Sequence, residues 1–221
     1  MKIFFEINPL YLQTITFMFQ EMAILRFFTL MAAVVLASTF ASAQSNISLA
    51  FTGFGFDFGK GVNAPIYKQK ISDGKNPLFE PGLRLGVEAY ASPATSIKAV
   101  QTVRYDAMKK VAMSSQVMLR FRIFRAYKHS LSFGVGPTAF YRKSWSAEEG
   151  YTDEGIYDDG TMQHKIAWLS TELEYNYVIG HYTDLSFAMT HMNPQGMGFA
   201  LGIKYWFTRK SNKCGTCPSF K

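Results

Sequence analysis

Glu172 and Glu174 stand two residues apart, the first spacing in this chain that could do acid–base chemistry. On a strand they share one face, about 6.5–7 Å apart from the strand rise, and paired carboxylates are what glycoside hydrolysis needs. Arginines in the same alternating phase would hold both ionised, and nothing nearby suggests a sugar cleft, so the pair reads first as a structural ion cluster. His191 is a second candidate, in Thr190-His191-Met192-Asn193-Pro194. A histidine base needs a nucleophile and a carboxylate to orient it. Asn193 occupies the place two residues on, and no acidic residue follows to the C-terminus. Cys214 and Cys217 form a CxxC. Redox use would require a helix N-terminus to lower a thiol pKa, and zinc would require a second ligand pair. The expectation is a local disulfide in an oxidising compartment. The loop from Glu148 to Asp159 is rich in carboxylates and tyrosines. It lacks the spacing of an EF-hand and reads as a solvated surface loop suited to protein or glycan contact. No metal or cofactor is assigned to any of these groups.

The segments that carry these residues are exported. From Met22 the chain runs through Arg26 and an apolar stretch, Phe27 to Ala37, into small residues ending Ala41-Ser42-Ala43 before Gln44. That order predicts a signal peptide over 1–43, cut between Ala43 and Gln44, with translation beginning at Met1 or Met22. The formal charge is +7 over 221 residues. No Lys/Arg run exceeds a pair and no zinc-finger or RNA-binding signature occurs, so the basic balance does not indicate nucleic acid. No apolar stretch after residue 43 has the ~20 residues of a membrane helix.

Beyond Gln44 the period is two throughout, predicting strands at 46–58, 81–91, 96–107, 115–125, 130–142, 166–178, 183–191 and 196–207. In the fourth, Val117, Leu119, Phe121 and Ile123 alternate with Met118, Arg120, Arg122 and Phe124. A phase change predicts a bulge near Gly53, and Pro137 predicts another bulge or kink in the fifth strand. Connections alternate: tight turns follow the even strands, whereas 59–80 and 143–165 are long and polar. The last strand sets Met197, Phe199, Leu201, Ile203, Tyr205 and Phe207 in one apolar row. Gly198, Ala200 and Gly202 on its other face should leave room for larger interior neighbours.

What that apolar row touches decides the class, since a soluble ligand-binding barrel would turn it inward and a membrane barrel outward. Strand cores of about ten residues suit a tilted bilayer crossing, and aromatics gather near strand ends as membrane girdles do. Gly202, Tyr205 and Phe207 match the terminal assembly signal of outer-membrane barrels, with Ala200 in place of its usual polar opening residue. Over 44–207 the chain therefore resembles the small eight-stranded outer-membrane barrels of the OmpA/OmpX type. The resemblance implies an all-β, antiparallel, up-and-down transmembrane barrel, monomeric, built by the barrel assembly machinery and surrounded by outer-membrane lipid and lipopolysaccharide, with a polar periplasmic tail at 208–221. His191 lies where outer-membrane lipid A deacylases carry His-x-Ser, but without that serine or a downstream Glu. A lipid A-modifying hydrolase is thus the alternative to a structural or interaction role in adhesion or envelope integrity, and a soluble secreted ligand-binding barrel the second alternative. The inward face should gather Arg84, Glu88, Arg104, Arg120, Arg122, Arg142, Glu172, Glu174, Asp184 and Lys204 into a salt-bridged plug that leaves no open channel.

Overall fold

In the computed structural model the described residues are 45–56, 62–71, 77–153, 155, 157, 161–192 and 196–207. The segment 1–43 expected to be a signal peptide, with Ala43 and the following Gln44 at its expected cut, and the tail with Cys214 and Cys217 lie outside them. Eight strands form one closed antiparallel barrel in sequence order: β1 (Ser45–Phe56), β2 (Leu78–Tyr90), β3 (Thr95–Tyr105), β4 (Val111–Ala126), β5 (His129–Lys143), β6 (Met162–Val178), β7 (Thr183–Met192) and β8 (Gly196–Trp206). β8 closes on β1, from Asn46 opposite Trp206 to Phe56 opposite Met197. Closure leaves no unpaired sheet edge, the condition for a strand structure to stand in lipid.

Both ends of the barrel follow from connection length. The turns after β2, β4 and β6 are tight and share an end with the start of β1 and the end of β8, here called the turn end. The longer connections gather at the opposite, loop end, where a short 3-10 turn, Ala64–Ile66, precedes a bridge from Lys70 to Leu78.

The expected bulges are present, each with a chemical cause. At Pro137 the register with β6 slips between Gly136 and Thr138, so that Trp168 and Leu169 together face the proline. Proline has no ladder donor, and the additional residue absorbs the gap. Both Trp168 (78% exposed) and Leu169 (66%) consequently point out of the barrel. Around Gly53 the register of β1 slips against both β2 and β8. A third bulge was not expected: the β4–β5 pairing slips between Arg122 and Phe124. It reverses the alternation at Ile123, so Phe124, read as inward, is exposed on the outer face.

The barrel is inside-out relative to a soluble one. Leu49, Leu83, Ile97, Leu119, Leu185, Leu201 and Ile203 are all exposed, while the interior buries Arg, Lys and Glu. At Gly202 the room expected for a large interior side chain is instead taken by β1. A Cβ there would lie 2.2 Å from the Leu49 carbonyl oxygen and 2.4 Å from the Ala50 Cα, so the close approach of the closing strands requires glycine.

Candidate functional site

The interior has three levels, each set by strand parity and register. Nearest the turn end, Trp206 turns inward and donates through Nε1 to Asp184 Oδ2 at 2.7 Å. Its ring lies 5.5 Å from that of Tyr90, over which the Arg122 guanidinium sits at 5.0 Å. Arg122 also donates to the Pro93 carbonyl at 2.7 Å, so it closes the turn end and stands apart from the central cluster.

The middle level is an ionic plug of three carboxylates and four cations. Glu88 pairs with Arg120 (2.9 Å) and Lys204 (3.0 Å) and accepts from Asn46 Nδ2 (3.1 Å) and Ser96 Oγ (2.6 Å). Glu174 meets Lys98, Lys204 and, at 3.2 Å, Arg120. Glu172 meets Arg84 and, at 2.9 Å, Lys98. Arg84 also donates through Nη1 to Thr190 Oγ1 at 3.1 Å. Each of the seven is at most 6% exposed. Glu172 and Glu174, the pair first considered for acid–base work, share Lys98 and are sealed from any substrate of sugar size. Such burial is sustained only because every charge has opposite-sign partners. With four cations against three carboxylates the plug holds one positive charge in excess.

Lys98 was absent from the expected interior set, although it shares the parity of Arg104 six residues on and faces Glu88 across β2 and β3. Arg104 and Arg142, expected in the same network, lie above it. Arg104 pairs with Glu80 at 3.4 Å. Arg142 donates through Nε to Gln163 Oε1 at 2.9 Å, and its guanidinium lies 3.8 Å from the ring centres of both Trp145 and Tyr157. Arginine suits this position because its planar cation stacks on ring faces while keeping donors free.

The third level is a chamber of about 250 Å³ between the plug and the loops, bounded by Arg84, Thr102, Ser114, Gln116, Arg142 and Tyr157 among others. The loops above it are tied to one another. Asp106 accepts from Trp145 Nε1 (2.7 Å) and from the backbone N–H groups of Met108 (2.9 Å) and Lys110 (2.8 Å). Asn63 and Thr152 exchange two hydrogen bonds, of 2.9 and 2.8 Å. Leu78, Ala107, Met108 and Trp145 make a small apolar core beneath, with Ile66, Tyr67 and Tyr151 packed against it. Glu148 clasps Lys68 (2.5 Å) and Lys110 (2.9 Å), whose hydrogen bonds hold its carboxyl down at about 2. Burial pushes the Tyr157 hydroxyl up to about 12, against the opposing pull of Arg142 and Arg104. The stretch 148–159 is therefore not wholly the solvated loop its composition suggested: its described tyrosines are structural.

His191 is exposed at the loop end of β7, with Thr171 and Met197 as its cross-strand neighbours. Asn193 lies outside the described residues. Among the described residues no group of three or more His, Cys, Asp or Glu could hold a metal. At the other end of β8, Tyr205 and Phe207 are exposed with rings 6.2 Å apart, and Tyr182 stacks on Tyr205 at 6.1 Å.

No family model matches the chain, and no curated protein does. Among solved structures, the N-terminal barrel domain of OprF from Pseudomonas aeruginosa aligns over 75% of this chain and 98% of its own, with TM-score 0.50 and 6% identity. OprG from the same organism aligns over 75% and 96%, with TM-score 0.49 and 9% identity. Ail from Yersinia pestis aligns over 75% and 99%, with TM-score 0.42 and 16% identity. What the first of these carries is the fold: a closed β-barrel domain.

Proposed function

We propose that the chain is a monomeric outer-membrane barrel whose ionic plug blocks conduction and whose tied loops form a displayed contact platform. The apolar outer face carries this reading. A belt of Leu, Ile, Val and Phe encircles a charged interior, and lipid is the solvent that suits it, whereas a soluble ligand-binding barrel would have the two faces exchanged. Lipid and lipopolysaccharide surround the belt, and the exposed Tyr182, Tyr205 and Phe207 mark its interfacial girdle at the turn end. With the termini in the periplasm, the loop end faces outward, where the loops 59–80 and 143–165 meet protein or glycan partners. The role is structural or adhesive, with the envelope as its setting. A lipid A hydrolase gains no support from His191, which has neither a carboxylate nor a hydroxyl nucleophile of the required type in sequence reach.

The test is folding into detergent or phospholipid vesicles, followed by heat-modifiable gel mobility, planar-bilayer conductance and surface proteolysis of intact cells. Expected are a mobility shift on heating, no steady conductance, and cleavage within the long connections. A chain that stays monodisperse and folded without amphiphile would refute the membrane reading; a large steady conductance would refute the plug.

A further inference from the structure

The chamber beneath the loops contains hydrogen-bonding capacity that the fold leaves unspent. Gln116 is 4% exposed and lines the chamber, yet its Nε2 has no hydrogen-bond partner. An amide donor buried without an acceptor is costly, so its presence in a native fold asks for an explanation. Arg142 also lines the chamber and commits only its Nε, to Gln163. The two aromatic rings that sandwich it fix the orientation of its remaining fork of donors. Among the described residues no carboxylate pairs with Arg142, and the plug directly below has one cation in excess.

These groups sit at opposite ends of the space. Ala112 on β4 faces Arg142 and Gln116 faces Thr138. The two donors thus attach about 13 Å apart along the wall, counting four residues of strand rise. Both side chains border the space between those points. A volume of 250 Å³ is many times the ~10–15 Å³ that one water requires by the same measure, which is room for a small organic molecule. Between the two donor ends, Phe140 and Tyr157 give the wall an apolar surface.

We propose that the chamber binds a small elongated organic acid, with a carboxylate on the Arg142 fork and a second acceptor group on the Gln116 amide. The charged end takes the bidentate geometry that a guanidinium offers, and the buried amide selects against any ligand without an acceptor at its other end. Only the side of the membrane from which the acid enters rests on the outer-membrane reading; the site itself does not.

Glutarate is the probe, with butyrate as the one-headed control and glutaramide as the uncharged one. Each is titrated by calorimetry into the barrel folded in detergent, its folding confirmed by heat-modifiable mobility. Glutarate should saturate one site, butyrate should bind at least tenfold more weakly, and glutaramide should not saturate. Arg142→Gln and Gln116→Leu should each weaken glutarate at least tenfold. Gln116→Leu changes no loop contact, so it keeps the test decisive if the arginine variant disturbs the roof. Failure of glutarate to saturate the folded protein, or undiminished affinity in folded Gln116→Leu, would overturn the proposal while leaving the barrel reading intact.

Discussion

Replacing Glu174 with leucine tests whether the plug is an ion cluster held together by charge balance. Glu174 is 1% exposed and contacts Lys98, Arg120 and Lys204. Its removal leaves four cations facing Glu88 and Glu172, so an excess of one becomes an excess of two within a dry interior. Breaking a buried cluster by deleting one partner costs about 3–5 kcal/mol, a large share of a typical folding free energy of ~5–15 kcal/mol. The double variant Glu174→Leu with Lys204→Met restores the original excess. Glu88 then keeps Arg120 at 2.9 Å and the donors Asn46 and Ser96 at 3.1 and 2.6 Å, so no carboxylate is orphaned. The double variant should therefore lie within about 1–2 kcal/mol of the native protein, since an apolar pair of similar volume often substitutes for a buried ion pair without loss. The assay is urea unfolding from phospholipid vesicles, followed by tryptophan fluorescence with gel mobility as the check on folding. A single variant costing under about 1 kcal/mol, or a double variant costing the sum of the two singles, would refute charge balance as the organising principle.

Leu201 is the middle residue of β8 and 55% exposed; arginine there should destabilise the vesicle-folded barrel by about 2–4 kcal/mol if it meets the bilayer midplane, and a negligible change in the urea midpoint would contradict a lipid contact. Phe207→Ser should reduce the heat-modifiable, assembled form in cells far more than the amount of chain synthesised, measured by comparing unheated and heated gel bands; equal assembly would remove the terminal-signal role. Glu148 has a carboxyl depressed from 4.5 to about 2 by its lysine hydrogen bonds, so its contribution to the loop clasp is present above about 4.5 and is lost as pH falls through about 2. Amide exchange in the 144–153 segment should stay slow down to about pH 4.5 and lose protection below it, beyond the intrinsic pH dependence, while Glu148→Gln should remove that step.

The barrel was legible because its determinant is local. Alternation with period two assigns each strand residue to a face without knowledge of its partner strand, and all eight strands lie within a few residues of their expected bounds. The plug was legible for the same reason, since parity alone turns Glu88, Arg120, Glu172, Glu174 and Lys204 inward. Parity also misled where it was interrupted. The bulge at Ile123 carries no Gly or Pro to announce it, so parity alone puts Phe124 on the wrong face, whereas Pro137 announces its own bulge. Lys98 was readable from the phase of Arg104, but the strand around it, Ile97 to Val103, is largely apolar and masks one basic residue.

The loop end obeys a different rule. Its ties join Lys68 to Glu148 across 80 residues and Asn63 to Thr152 across 89. No periodicity relates such positions, and an acidic, tyrosine-rich stretch has the same composition whether it is solvated or folded onto neighbours. The same contrast separates the molecule's two ionic features. The plug needs only correct parity in a closed barrel, so many sequences could form it, and its opposite charges pair with one another. Arg142 needs Trp145 and Tyr157 on a particular loop to hold its plane, and Gln116 still lacks an acceptor once the fold is complete. Charges that pair with each other inside a sealed plug explain stability; donors that border an open chamber are placed to meet a ligand. The chamber, rather than the plug or the lipid belt, is where this barrel's individual specificity resides.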